Sequence, residues 1–130
     1  MADFGFTPNL TASGTINPFR FVELNTANPF TGQSANAASD NILGVTDGSV
    51  YQYDQTAHAI AGRQITLQPS NTVQVQLGSG GAAIANLLTS DANGRAVVGT
   101  TAQVCYYIAL EAGSEDEIIR AFRIGTRVVP

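Results

Sequence analysis

The stretch Thr72-Val-Gln-Val-Gln-Leu77 alternates without a break, with Val73, Val75 and Leu77 on one side and Thr72, Gln74 and Gln76 on the other. Period-two alternation marks a strand in an antiparallel sheet with one face buried and one wet. Upstream, Gln64–Gln68 repeats the pattern, setting Ile65 and Leu67 against Gln64, Thr66 and Gln68. Short apolar runs at Phe19–Leu24, Asn41–Val45 and Arg95–Val98 are punctuated by Gly, Asn and Asp. The spacing predicts a mostly-β chain, a small single-domain β barrel or sandwich. Asp91-Ala-Asn-Gly94 predicts a hairpin, its Asn-Gly pair favouring a type I′ turn. Ile84, Leu87 and Leu88 fall at helical spacing, so Ala82–Leu88 reads as one short helix or as a strand, a run too short for periodicity to decide.

Two later strands are apolar on both sides. In Gln103–Leu110, Val104, Tyr106, Ile108 and Leu110 share one face, and Cys105, Tyr107 and Ala109 share the other. Glu117–Val129 has the same character through Ile118, Ile119, Ala121, Phe122 and Ile124. A thin domain covers both faces of a strand most simply with a second copy of itself. This reading places Tyr107, Ile119, Ala121 and Arg123 at an oligomer interface. Between the strands, Ala112–Glu117 is a polar turn. Its Ser114-x-x-Glu117 matches a helix capping box, but the residues that follow read as a strand.

At 130 residues the chain fits one domain. Its single cysteine, Cys105, closes no intrachain disulfide. No apolar stretch approaches the ~18 residues of a membrane span, and the N-terminus lacks a signal-peptide pattern. The expectation is synthesis in a reducing cytoplasm, with no membrane partner. Six arginines and no lysine face ten acidic residues, for a net charge of -4. Nucleic-acid binding needs clustered basic residues, so direct contact with nucleic acid is not expected. Only 12% of residues are charged, about half the usual ~25%. Lysine depletion beside retained arginine is the composition of a surface buried against other proteins; a neutral surface of Thr, Asn, Gln and Ser is the plainer account.

Residues Met1 to Ser13 carry Phe4, Phe6 and Leu10 beside Gly5 and Pro8, with no strand or helix pattern. They read as an extended N-terminal arm (1–13) ahead of a β domain (14–130). The arm either docks on a partner through its three apolar side chains or folds back on its own domain.

Catalytic and metal sites need convergent His, Cys and carboxylate groups. The chain offers one histidine, His58, and one mid-strand cysteine. Asp47-Gly-Ser49 reads as a turn. Asp91, Asn93 and Gly94 echo a calcium loop, but Ala102 stands where its bidentate Glu belongs. No enzyme activity, metal or cofactor is expected.

Several segments together resemble the small head decoration (cement) proteins of tailed bacteriophages. They are Asn41-Ile-Leu-Gly-Val45, Gly62 to Ile65, Val73-Gln-Val75, Ala83-Ile-Ala-Asn-Leu-Leu88, Ser90-Asp-Ala-Asn-Gly-Arg-Ala96 and Tyr107-Ile-Ala-Leu-Glu111 through Glu117-Ile-Ile-Arg120. The resemblance runs from about Gly14 to Val129 and rests on turns and apolar strands. It implies a β-tulip-like fold and a homotrimer on the outside of the mature head. The partner would be the major capsid protein, clamped against internal DNA pressure. It also implies capsid contact through the N-terminal arm, which maps onto Phe4, Phe6 and Leu10. The alternatives are a carbohydrate- or cell-surface-binding β-sandwich, with Tyr51 and Tyr53 as its platform, or another small virion subunit.

Overall fold

The Thr72–Gln76 alternation forms a strand with Val73 and Val75 buried and Thr72 and Gln74 exposed. The computed structural model describes residues 9–39, 41–53 and 55–130. Among the described residues there are ten strands and no helix. The strands are β1 (Leu10–Ala12), β2 (Phe21–Leu24), β3 (Thr31–Ser34), β4 (Ile42–Val45), β5 (Gln64–Ile65), β6 (Thr72–Gln76), β7 (Leu87–Ser90), β8 (Ala96–Val98), β9 (Val104–Ala109) and β10 (Ile118–Val128).

Each half of the chain builds one sheet. The first five strands lie in the order β4-β2-β3-β1-β5 and the last five in the order β6-β10-β9-β7-β8. Both sheets curl until their edge strands approach. Thr46, just past β4, bridges Leu67, just past β5, and Leu77, just past β6, bridges Ala96 in β8. The barrel-or-sandwich expectation holds: two curled sheets stack, with one apolar cluster inside the first and a larger one between the two.

The smaller cluster holds Leu10, Ala12, Ile16, Val22, Ala59, Ile65 and Leu67. The larger joins Phe21, Ala35, Ile42 and Val45 of the first sheet to Val73, Val75, Leu77, Leu88, Tyr107, Ile119 and Ala121 of the second. Strand β2 feeds both clusters, and its Phe21 ring stands 5.3 Å from Tyr107 at a tilted 41°. In β10 the register slips between Arg123 and Arg127. Gly125 takes φ +79 there, a left-handed conformation that glycine adopts freely and bulges use.

Three expectations change. Leu10–Ala12 is a strand between β3 and β5, so the β domain begins before Gly14. Leu10 is buried in the smaller cluster and is not available as a capsid contact; Phe4 and Phe6 lie outside the described residues. The choice left open at Ala82–Leu88 resolves against the helix: Ile84 is exposed, Ala85 turns at φ +71, and β7 starts at Leu87. The Asp91–Arg95 hairpin is not type I′, because Asn93 keeps a negative φ and Gly94 alone takes the left-handed position, at +79. That is a type I turn closed by a left-handed glycine.

Glu23 on β2 is a buried carboxylate held by donors from the 33–39 segment of the same chain. Gln33 Nε2 donates to it at 2.6 Å, the Asn36 backbone N–H at 3.0 Å and Asn36 Nδ2 at 3.1 Å. Burial pushes its pKa up, but these bonds and one from Ser39 outweigh it and hold the carboxyl below its ordinary value. The ionised form therefore favours the folded state. Its contribution is complete above the unfolded pKa of about 4.3 and is lost as pH falls through the lower folded value. Glu23→Gln is expected to cost about 1–3 kcal/mol at neutral pH. It should also flatten the loss of melting temperature between neutral pH and strong acid, read by thermal unfolding across that range. Equal acid slopes in both proteins would contradict this account of Glu23.

Candidate interaction surfaces

Residues of β9 and β10 sort by parity. Cys105, Tyr107 and Ala109 on β9, with Ile119 and Ala121 on β10, are buried inside the chain. Tyr107, Ile119 and Ala121 therefore serve the chain's own core and cannot face another copy. Arg123 is also an internal clamp. Its Nη1 donates to Tyr107 Oη at 3.0 Å and to the Leu43 carbonyl of the first sheet at 3.1 Å, and its guanidinium lies 5.5 Å from the Tyr107 ring centre. Burial raises the Tyr107 pKa, with Arg123 opposing that rise.

The opposite face of the same strands is the open one. Ile118 is 46% exposed, Phe122 40% and Leu110 46%. Phe122 lies opposite Ile108, and Ile108 lies opposite Leu87, so an apolar row crosses three strands. Two-sided apolar character was legible in the sequence. Which side faces the core depends on the partner sheet, and one sequence position of register reverses it.

The 47–60 loop carries the histidine. Thr66 donates its backbone N–H to His58 Nε2 at 2.9 Å, so Nε2 is the acceptor nitrogen and the proton sits on Nδ1. Nδ1 lies 3.0 Å from the Ser49 carbonyl and 3.4 Å from Asp47 Oδ1. Asp47, Ser49 and His58 thus meet, which their types alone would suggest is a hydrolytic triad. The hydrogen bonds argue otherwise: the Ser49 hydroxyl donates to Asp47 and lies 3.4 Å from the same Nδ1 that faces Asp47, so no relay runs across the ring, and both ring nitrogens of the buried His58 meet backbone groups of the loop and of Thr66. This is a structural staple. Tyr51 and Tyr53 meet edge-on at 5.9 Å, Arg63 lies 5.3 Å from the Tyr51 ring centre, and Tyr53 is 82% exposed.

A polar cleft of about 490 Å³ opens between the two sheets, lined by Thr15, Asn17, Arg20, Ser34, Asn93 and Arg95. Arg20 has no carboxylate at bonding distance among its described contacts: Nη1 donates to the Asn93 carbonyl at 3.2 Å and Nη2 to Gln76 Oε1 at 3.0 Å. Burial and the neighbouring Arg95 lower its pKa. Arg95 is neutralised by Asp91 at 3.0 Å and Asp116 at 2.8 Å, which ties the β7–β8 hairpin to the turn before β10. Cys105 is buried, and burial pushes its thiol pKa up, which suits a packed side chain rather than a nucleophile.

No family model matches the chain, and no curated protein does. Among solved structures, the head fibre gp8.5 N base of bacteriophage phi29 is similar, with a TM-score of 0.68 at 14% sequence identity. The match covers 94% of this chain and 96% of that one. The two share a fold across their lengths.

The His58 staple yields a direct expectation. His58→Ala leaves the Thr66 N–H without its acceptor and removes a buried side chain from the loop, and should destabilise the domain by about 1–3 kcal/mol. Denaturant unfolding measures this, and an unchanged midpoint would show that the staple contributes nothing.

Proposed function

We propose that this chain is a structural, non-catalytic protein of a tailed-phage virion. It binds the major capsid protein on the outside of the head, as a homotrimer, and cements the shell against internal DNA pressure. The observation that carries the reading is the fold shared end to end with a phage head fibre base. The low charge, the absence of lysine and the apolar row on the second sheet support it. Three tethered copies raise the effective concentration of each contact, so individually weak contacts suffice on a symmetric shell.

The trimer contact belongs on the open face, at Phe122, Ile118 and Leu110. Phe122→Ser should leave the fold intact, because its side chain is outside both cores, yet shift the protein from trimer towards monomer. Analytical ultracentrifugation, free and on heads, reads the change. A protein monomeric in both settings would remove the trimer from the proposal.

On this reading the arm's contribution is carried by Phe4 and Phe6. Removing residues 2–8 should leave melting near normal and weaken co-sedimentation with heads that lack the protein by tenfold or more, since aromatic anchors often contribute ~2 kcal/mol or more each. Removing residues 2–13 also deletes β1 from between β3 and β5 and should unfold the first sheet. Undiminished binding after the shorter deletion would show that the arm is not an anchor.

The exposed Tyr53 beside Tyr51 favours a second reading, a carbohydrate-binding surface. Glycan-array binding that Tyr53→Ala abolishes would support it, and a blank array would remove it.

A further inference from the structure

The tripeptide Asn-Pro-Phe occurs twice, at Asn17-Pro18-Phe19 and Asn28-Pro29-Phe30. Both copies take the same unusual backbone, with Phe19 at φ +58 and Phe30 at φ +55. Both use it in the same way. The Phe19 carbonyl accepts the Gln76 N–H at 3.0 Å, the Phe30 carbonyl accepts the Thr11 N–H at 3.0 Å, and a strand of the first sheet starts within two residues of each. Among the described residues, the other non-glycine positions with positive φ are Ala, Gln or Asp; only these two are aromatic.

A left-handed conformation costs an L-residue about 1–2 kcal/mol, and glycine would remove that cost at either position. At Phe19 the ring repays it inside the molecule. The far end of the ring abuts Gly48, so close that a Cβ there would come within 2.7 Å of Cζ. At Phe30 nothing comparable is visible: the side chain is 77% exposed. It projects from the β2–β3 hairpin, whose residues from Leu24 to Gln33 carry no charge. Leu24, 42% exposed, stands at the start of the same hairpin. The hairpin also sits at the root of the N-terminal segment, because Thr11 pairs with Thr31.

We propose that Phe30 is a docking anchor of the folded domain, held out on the hairpin to enter an apolar socket on the surface of the major capsid protein. This rests on the head-binding reading above and deepens it. A single exposed ring on an uncharged tip suits a protein socket, in which aromatic side chains are enriched at the centre of contacts.

The backbone makes the test clean. Phe30→Gly relieves the strained φ, so its melting temperature should equal or exceed that of the wild type, while its affinity for heads lacking the protein should fall about thirtyfold. Phe19→Gly is the converse control: melting should fall and the affinity of the folded protein should hold. Co-sedimentation and thermal unfolding, run side by side on the full chain, give both readouts. Binding by Phe30→Gly within about threefold of wild type overturns the anchor, as does a lowered melting temperature, which would make the ring structural. Loss of glycan-array binding with capsid binding retained overturns it in favour of a sugar. Wild-type protein that fails to bind heads overturns the head-binding reading itself, and the anchor with it.

Discussion

Phe21 and Val22 point to opposite sides of β2, and each is fully buried, Phe21 between the sheets and Val22 inside the first. A strand buried on both faces cannot be displaced without opening both clusters, so the relative placement of the sheets follows from these two residues. Tyr107 receives Phe21 from the second sheet, and Arg123 ties Tyr107 back to the Leu43 carbonyl beside it. The next residue, Glu23, extends the constraint by anchoring the 33–36 segment. Three consecutive positions, Phe21 to Glu23, thus fix the joint, and Leu24 beyond them is left towards solvent.

This joint determines what remains outside. Once Tyr107, Ile119 and Ala121 are committed to the core, the alternate residues Ile118 and Phe122 must face outward. An apolar outer row is an expensive feature for an isolated domain, since exposed apolar patches invite association. On the proposed reading it is where copies meet, while the β2–β3 tip at the root of the N-terminal segment meets the shell.

The sequence made the second sheet largely legible, because β6, β9 and β10 are long and alternate. It hid much of the first. Strand β3 is Thr-Gly-Gln-Ser, with no apolar side chain to register. Its place in the sheet is secured by neighbours that close over Gly32, where a Cβ would come within 2.8 Å of Ile65. Strand β1 is three residues long and follows Pro8, so it read as part of an arm. The helical spacing of Ile84, Leu87 and Leu88 was coincidental: only Leu88 is fully buried, and the backbone reverses at Ala85. The inward side of β9 and β10 was hidden for a related reason. Alternation shows that a strand has two faces, but only the partner sheet shows which one is the core. The Asp47–Ser49–His58 grouping was equally hidden, since its members are joined by loop geometry rather than by a motif.

The central claim is that the chain resides on the outer surface of a phage head. Electron cryomicroscopy of phage heads assembled with and without the gene for this chain tests this most directly. The account predicts density for two stacked five-stranded sheets outside the shell, in groups of three around three-fold or quasi-three-fold positions, and missing from heads that lack the gene. Identical outer shells in the two preparations, or the same density on the tail or inside the head, would contradict it.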